Sequence, residues 1–365
     1  MTSVLLAGAV ANKHGRGGSI SVRMSWAESL RQLGFDVVLV DELYPGGDAA
    51  AFAAVVRELG LAGALLDGDR VRGMDAHELV DRVDAAALLV NLGGHLRRPE
   101  LLRRVRRRAY IDLDPGYTQI WQAEGRRIGV EDHHVYLTVG ANVGTSRCPL
   151  PTAGIRWIPI RQPVVLERWP LAPGGFSSFT SVASWRGAYG PVAWAGRTYG
   201  VKAHEFRRVA DLPRATGLPF ELALDLHSAD ALDRERLVRA GWRLHHPATV
   251  ATPDSFARFV RSSGAEFSVA QGVYVETRSG WLSDRTVRYL ASGRPALVQE
   301  TGLAATLPVG EGLLTFGTPA EAASQAKRLV AEYGDHARAA RRLAEQLFAP
   351  EPALAPLLAA TGVAP

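Results

Sequence analysis

The sequence predicts an α/β protein built of two Rossmann-like domains. Three observations carry that expectation. Short apolar runs alternate with helical stretches through residues 4–113, and the alternation restarts at residue 179. Between them Pro149, Pro151, Pro159, Pro163, Pro170 and Pro173 crowd a poorly periodic stretch that ends in Gly174-Gly175. Strands separated by helices favour βαβ units and a parallel sheet, and a proline-rich break reads as an interdomain connection. The 365 residues suffice for two cores, at roughly 100–200 residues per domain.

In the first half, strands are predicted at residues 4–10, 36–40, 62–66, 87–90 and 109–113. The stretch 11–21 is glycine-rich and reads as a loop. Helices are predicted at 26–33, stopped by Gly34, at 49–59, stopped by Gly60, and at 76–83 and 100–107. The second half repeats the scheme. Strands are predicted at 179–183, 220–226, 242–245 and 265–269, and helices at 203–209, 234–240 and 253–260. Residues 273–275 read as a further strand, followed by a turn and a helix that Ser283 or Asp284 caps and Gly293 ends. Ala296–Leu297–Val298 is the next strand, and 319–333 and 336–347 close the chain as helices. The expected division is 1–160, a linker at 161–176, 177–345, and a tail at 346–365 that packs back on the first domain.

Composition excludes several classes. Hydrophobic residues make up 47% and charged residues 22%, ordinary for a water-soluble globular chain. The net charge of +5 favours an anionic ligand without naming one. Cys148 is the only cysteine, so no internal disulfide and no Cys-ligated metal site is possible, which fits a reducing cytoplasm. The N-terminus lacks the basic region of a secretory signal, and no apolar run approaches transmembrane length, so neither export nor stable membrane insertion is expected. The arginine-rich stretch 97–108, with Leu101, Leu102 and Val105 interleaved, reads as an amphipathic helix with a solvated basic face rather than a nucleic-acid site.

Two segments carry anion chemistry. Gly280-Trp281-Leu282-Ser283-Asp284-Arg285 places a polar turn at a helix start, where free backbone N–H groups and the helix dipole favour negative charge and Arg285 adds a cation. Gly196-Arg197-Thr198-Tyr199-Gly200-Val201-Lys202 sets two cations five residues apart in a glycine-flanked turn, a spacing that lets both reach one diphosphate. In the first half the glycine-rich loop holds His14, Arg16, Gly17 and Gly18. Asn91-Leu92-Gly93-Gly94-His95 and Asp112-Leu113-Asp114-Pro115 follow the fourth and fifth strands. His95, Asp112, Asp114 and His14 are the candidate general bases, since a base must be a His or carboxylate near the sheet's carboxyl edge. His133-His134 lacks further ligands at metal-binding spacing, so no metal is expected.

Together these segments resemble glycosyltransferases of the GT-B fold, nearest the group-1 kind. The residues that carry the likeness are Gly196–Lys202, Ser279–Arg285, Tyr289-Leu290-Ala291-Ser292-Gly293-Arg294-Pro295, Gln299-Glu300-Thr301-Gly302 and 307–314. The likeness covers the second domain well and the first mainly by architecture. It implies two Rossmann-like domains with parallel sheets facing a cleft, the acceptor on the first and a nucleoside diphosphate sugar on the second. It implies that Arg197 and Lys202 neutralise the leaving diphosphate. Gly280, Trp281, Ser283, Asp284 and Arg285 would hold phosphate and ribose, and Glu300, Thr301 and Gly302 would approach the sugar. The His14–Gly18 loop would face the cleft, and no metal or other cofactor would be needed. Aligned through Gly293 and Pro295, the chain places Arg288 where many retaining members carry their second glutamate, so Glu276 drops out of the expected site. Rival readings are a nucleotide-sugar epimerase or glycoside phosphorylase on the same fold, and a non-catalytic nucleotide-sugar or glycan-binding protein.

Overall fold

Alternating apolar runs and helices form two separate sheets in the computed structural model, which describes all residues from Met1 to Pro365. The chain divides into two units. The first comprises Met1–Gly144, Leu150–Val165 and Phe348–Pro365, the second Thr145–Pro149 and Leu166–Leu347. Residues 166–176, expected in the linker, therefore belong with the second unit.

The first sheet holds β1 (Ser3–Ala7), β2 (Asp36–Glu42), β3 (Ala62–Asp67), β4 (Arg70–Arg72), β5 (Leu88–Leu92), β6 (Arg108–Asp112), β7 (Val135–Thr138) and β8 (Trp157–Pro159). Their order is β4-β3-β2-β1-β5-β6-β7-β8, and only the β3–β4 pair is antiparallel. The second unit adds β9 (Phe179–Ser184), the hairpin β10 (Val192–Trp194) and β11 (Arg197–Tyr199), then β12 (Phe220–Asp225), β13 (Trp242–His245), β14 (Ala265–Ser268), β15 (Ala296–Gln299) and β16 (Leu313–Phe316). Its main sheet runs β13-β12-β9-β14-β15-β16, all parallel. Strand order reverses between β1 and β5 in the first sheet and between β9 and β14 in the second. Ligands of open α/β sheets bind beyond the carboxyl ends of strands at such points.

Both cores explain the runs. Every residue of β5 is buried, as expected for a parallel strand covered on both faces. Leu5, Val38, Val40, Ala64 and Leu89 build the first core. The second is aromatic: Phe179 stacks on Phe220 at 4.8 Å and Phe267 on Phe316 at 5.3 Å.

Three further expectations are corrected. The glycine-rich loop ends at Arg16, because the helix Gly17–Gln32 starts nine residues earlier than apolar periodicity indicates; Ser21 Oγ donates to Gly17 O at 2.8 Å in its first turn. Residues 273–275 are not a strand but part of the helix Gly272–Glu276. A three-residue apolar run does not distinguish the two, and the ladder has already closed, since Ala270 N donates to Gln299 Oε1. The helix expected at 100–107 is only Pro99–Leu102. Arginines three and four apart repel along a helix, and Arg103 and Arg104 pair outward with Asp132 and Asp84 instead. The tail is itself helical, Pro350–Thr361, and packs on the helix Gly17–Gln32 and on β7 within the first unit.

Asp41, at the end of β2, organises the loop after β1. Its buried carboxylate accepts from the N–H groups of Gly8, Ala9 and Ala11 at 3.0, 2.7 and 3.2 Å. Asp41→Ala strands three donors away from water and is expected to lower the unfolding free energy by about 3 kcal/mol. Urea denaturation measures it; a loss within ~0.5 kcal/mol would mean that water replaces the carboxylate.

Candidate active site

In the second unit, two segments far apart in sequence lock together beyond β9 and β14. The β10–β11 hairpin turns at Ala195 and Gly196, both with positive φ (50° and 76°), as a two-residue type I′ turn requires. Arg197 follows at once. Its Nη2 donates to Glu276 Oε2 at 2.8 Å, and its guanidinium lies 5.7 Å from the Tyr199 ring. Lys202 opens the helix Lys202–Arg208, and its backbone N–H donates to Gln271 Oε1 at 2.6 Å. Gly272 N donates to Gly200 O, and a Cβ on Gly272 would lie 2.7 Å from that oxygen, so only glycine permits the approach.

The Gly280 turn joins the same assembly. Gly280 N donates to Thr301 O at 2.7 Å, and Thr301 Oγ1 donates to Trp281 O at 2.6 Å. Trp281 packs on Tyr274 with ring centroids 4.5 Å apart. Tyr274 and Glu276 share one helix, so the Arg197 hairpin, the Gly280–Trp281 turn and the Thr301–Gly302 loop form one network. Ser283 caps the helix Asp284–Ala291, its Oγ accepting from Arg285 N. Asp284 therefore occupies the first turn and is not the cap.

Three expectations about this network change. Arg285 is not a free cation at the turn. Its Nε donates to the buried Glu266 at 2.6 Å, and its Nη atoms donate to Val182 O and Ser268 Oγ. Its guanidinium is thus consumed inside the sheet. Glu300 is a loop former, since Oε1 accepts from the N–H groups of Gly302 and Leu303 at 2.5 and 2.6 Å. Glu276, set aside on sequence alignment, is the partner of Arg197. Gln271 and Tyr274 were not anticipated; their only sequence signal is proximity to Glu276, because their contacts cross up to 69 residues.

In the first unit, loops after β1, β2, β5 and β6 converge. Asn12 accepts from Tyr44 N and donates to Glu42 O. The Tyr44 hydroxyl donates to His95 O. Glu42 accepts from Arg97 N and pairs with Arg98. Gly94 crosses Gly129 so closely that a Cβ on either would strike the other's carbonyl oxygen. His14 and Arg16 are exposed, and Gly17 and Gly18 lie in the first turn of the helix.

The candidate bases separate here. Burial, with the charges of Arg23, Lys13 and Arg97, pushes the His95 imidazole down to about 3. At neutral pH it is uncharged and a poor proton acceptor, which argues against His95 as the base. Asp112 is buried and fully engaged by Thr118, Gln119, Thr138 and the N–H of Asp114. Asp114 is half-buried beside it and acts electrostatically on Lys13. His133 meets Asn91 and the carbonyls of Val130 and Glu131, a structural role.

Two Rossmann-like units with these strand orders define the GT-B fold. Solved structures of that fold match the chain end to end. Anabaena HepE in complex with UDP-glucose is 12% identical with a TM-score of 0.60, covering 100% of both chains. AviGT4, a glycosyltransferase involved in avilamycin A biosynthesis, is 15% identical with a TM-score of 0.58, over 99% of this chain and 97% of that one. An α-glucosyltransferase in complex with UDP and a 13-mer DNA is 9% identical with a TM-score of 0.60, over 100% of both. No protein-family model and no curated protein matches the sequence. No helix is long and apolar enough to cross a membrane.

Proposed function

We propose that the protein is a metal-independent, cytoplasmic glycosyltransferase that moves a sugar from a nucleoside diphosphate sugar to an acceptor hydroxyl or amine. The observation that supports this reading is the network that links the segments of Arg197 and Lys202, through Glu276, Gln271 and Tyr274, to the Gly280–Trp281 turn, at the strand-order switch of a GT-B fold. HepE and the α-glucosyltransferase of the same fold are complexed with UDP or UDP-glucose, which supports a nucleotide donor.

In the reaction the bond between the sugar's anomeric carbon and the diphosphate oxygen breaks, and a bond to the acceptor oxygen or nitrogen forms. Charge grows on the departing diphosphate. Arg197 and Lys202 stabilise it as fixed cations, and the N–H groups around Gly280 and Ser283 add dipoles. The acceptor proton goes to Asp114 if the configuration inverts, or to the departing phosphate if it is retained. No further cofactor takes part.

A thermal-shift titration with UDP, other nucleoside diphosphates and their sugars tests the donor site. A ligand at about 100 times its Kd adds about 2.7 kcal/mol to stability, a shift of several degrees. No shift with any of them at millimolar concentration would sink the donor reading.

A further inference from the structure

Around the β1–β5 switch of the first unit, positive charge outweighs negative. Lys13, Arg16, Arg23 and Arg97 all act on this spot, and Asp114 is the carboxylate that acts on Lys13. The neighbouring carboxylates are spent. Asp41 is tied to the loop after β1, Asp112 to its own turn, and Glu42 to Arg97 N and Arg98. Lys13 is half-buried, yet it forms no ion pair and no side-chain hydrogen bond. Arg97 donates to Gly94 O at 3.2 Å and likewise forms no ion pair. Arg23 is buried, with Nε on Gly8 O at 2.7 Å and Nη1 on Ser19 O at 3.1 Å, so it is held in place. His95 Nδ1 is buried with no hydrogen-bond partner.

A half-buried cation without an ion pair, Lys13, and a buried polar nitrogen without a partner, His95 Nδ1, are costly, and proteins retain such arrangements where a ligand completes them. We propose that the loops after β1 and β5 bind an anionic group of the acceptor, a carboxylate or a phosphate, through Lys13, Arg97 and the His95 imidazole. This rests on the glycosyltransferase reading and narrows its acceptor to an acid. Electrostatics supports it twice. Burial and Arg23 push Lys13 down to about 8, so the cation persists at neutral pH but is short of counter-charge. The uncharged His95 is free to present an N–H to an anion.

The test uses the full chain, both without UDP and saturated with it. Inorganic phosphate, acetate and glucuronate are each titrated by thermal shift against sodium chloride of equal ionic strength. Phosphate or the carboxylates should stabilise the protein beyond chloride, and which of them does so distinguishes the two anions. Apparent Kd should rise about tenfold in Lys13→Gln, and also in Arg97→Gln, whose exposed side chain can change without unfolding the protein. The proposal falls if no anion exceeds chloride, if both variants bind as the wild type does, or if the effect vanishes once UDP is bound. The last result would assign the cations to the donor's own phosphates. UDP binding that survives in Lys13→Gln keeps the donor reading separate from this one.

Discussion

Glu266→Ala is expected to lower the unfolding free energy by about 3–5 kcal/mol. Glu266 lies in β14 with no exposed surface, and its Oε1 accepts from Arg285 Nε at 2.6 Å. Arg285 is nearly as deep, at 12% side-chain exposure. Removing the carboxylate leaves a guanidinium in the sheet with only Val182 O and Ser268 Oγ. An uncompensated buried charge costs far more than an intact pair contributes. The double variant Glu266→Leu, Arg285→Met is therefore expected to lose much less than the sum of its parts, a coupling that a urea-denaturation cycle measures directly. A loss below ~1 kcal/mol for Glu266→Ala would show that water reaches Arg285 and that the arginine is available to ligands after all.

Arg197→Ala is expected to lower kcat/KM by about 10²–10³ while leaving stability nearly untouched. Its side chain is 64% exposed, and exposed ion pairs such as the one with Glu276 contribute about 0–1 kcal/mol. The loss falls on catalysis because charge on the departing diphosphate peaks in the transition state. Arg197→Lys should recover part of the rate, since the charge stays but the fork is lost. Unchanged turnover of a UDP-sugar in Arg197→Ala would remove this arginine from the mechanism.

Most of the sheet architecture was legible. Parallel strands buried on both faces leave continuous apolar runs, and Gly34, Gly60 and Gly293 mark helix ends; all three have positive φ. Legibility failed where local pattern and long-range contact disagree. Glycines hid the start of the helix Gly17–Gln32. Prolines hid Pro350–Thr361, which survives Pro356 by packing on the first unit's own helix and strand. In the site, the glycine-flanked cations Arg197 and Lys202 stood out because charge and turn chemistry are local. Glu276 and Gln271 did not, because each acts on a segment about 70–80 residues away.

The sequence by itself determined two α/β halves joined by a proline-rich break, and a second half with cations at glycine turns. Tertiary structure alone decided which of those cations remain available. Arg285 precedes its helix's apolar face and reads as a phosphate ligand, yet β14 carries Glu266 beneath it and takes the charge inward. Arg197 keeps an exposed side chain on a hairpin, and Lys13 lies half-buried with no ion pair. The reason is physical: the field at a charged group depends on which strands lie beside it and how much water they exclude, and neither is written within a few residues of the charge.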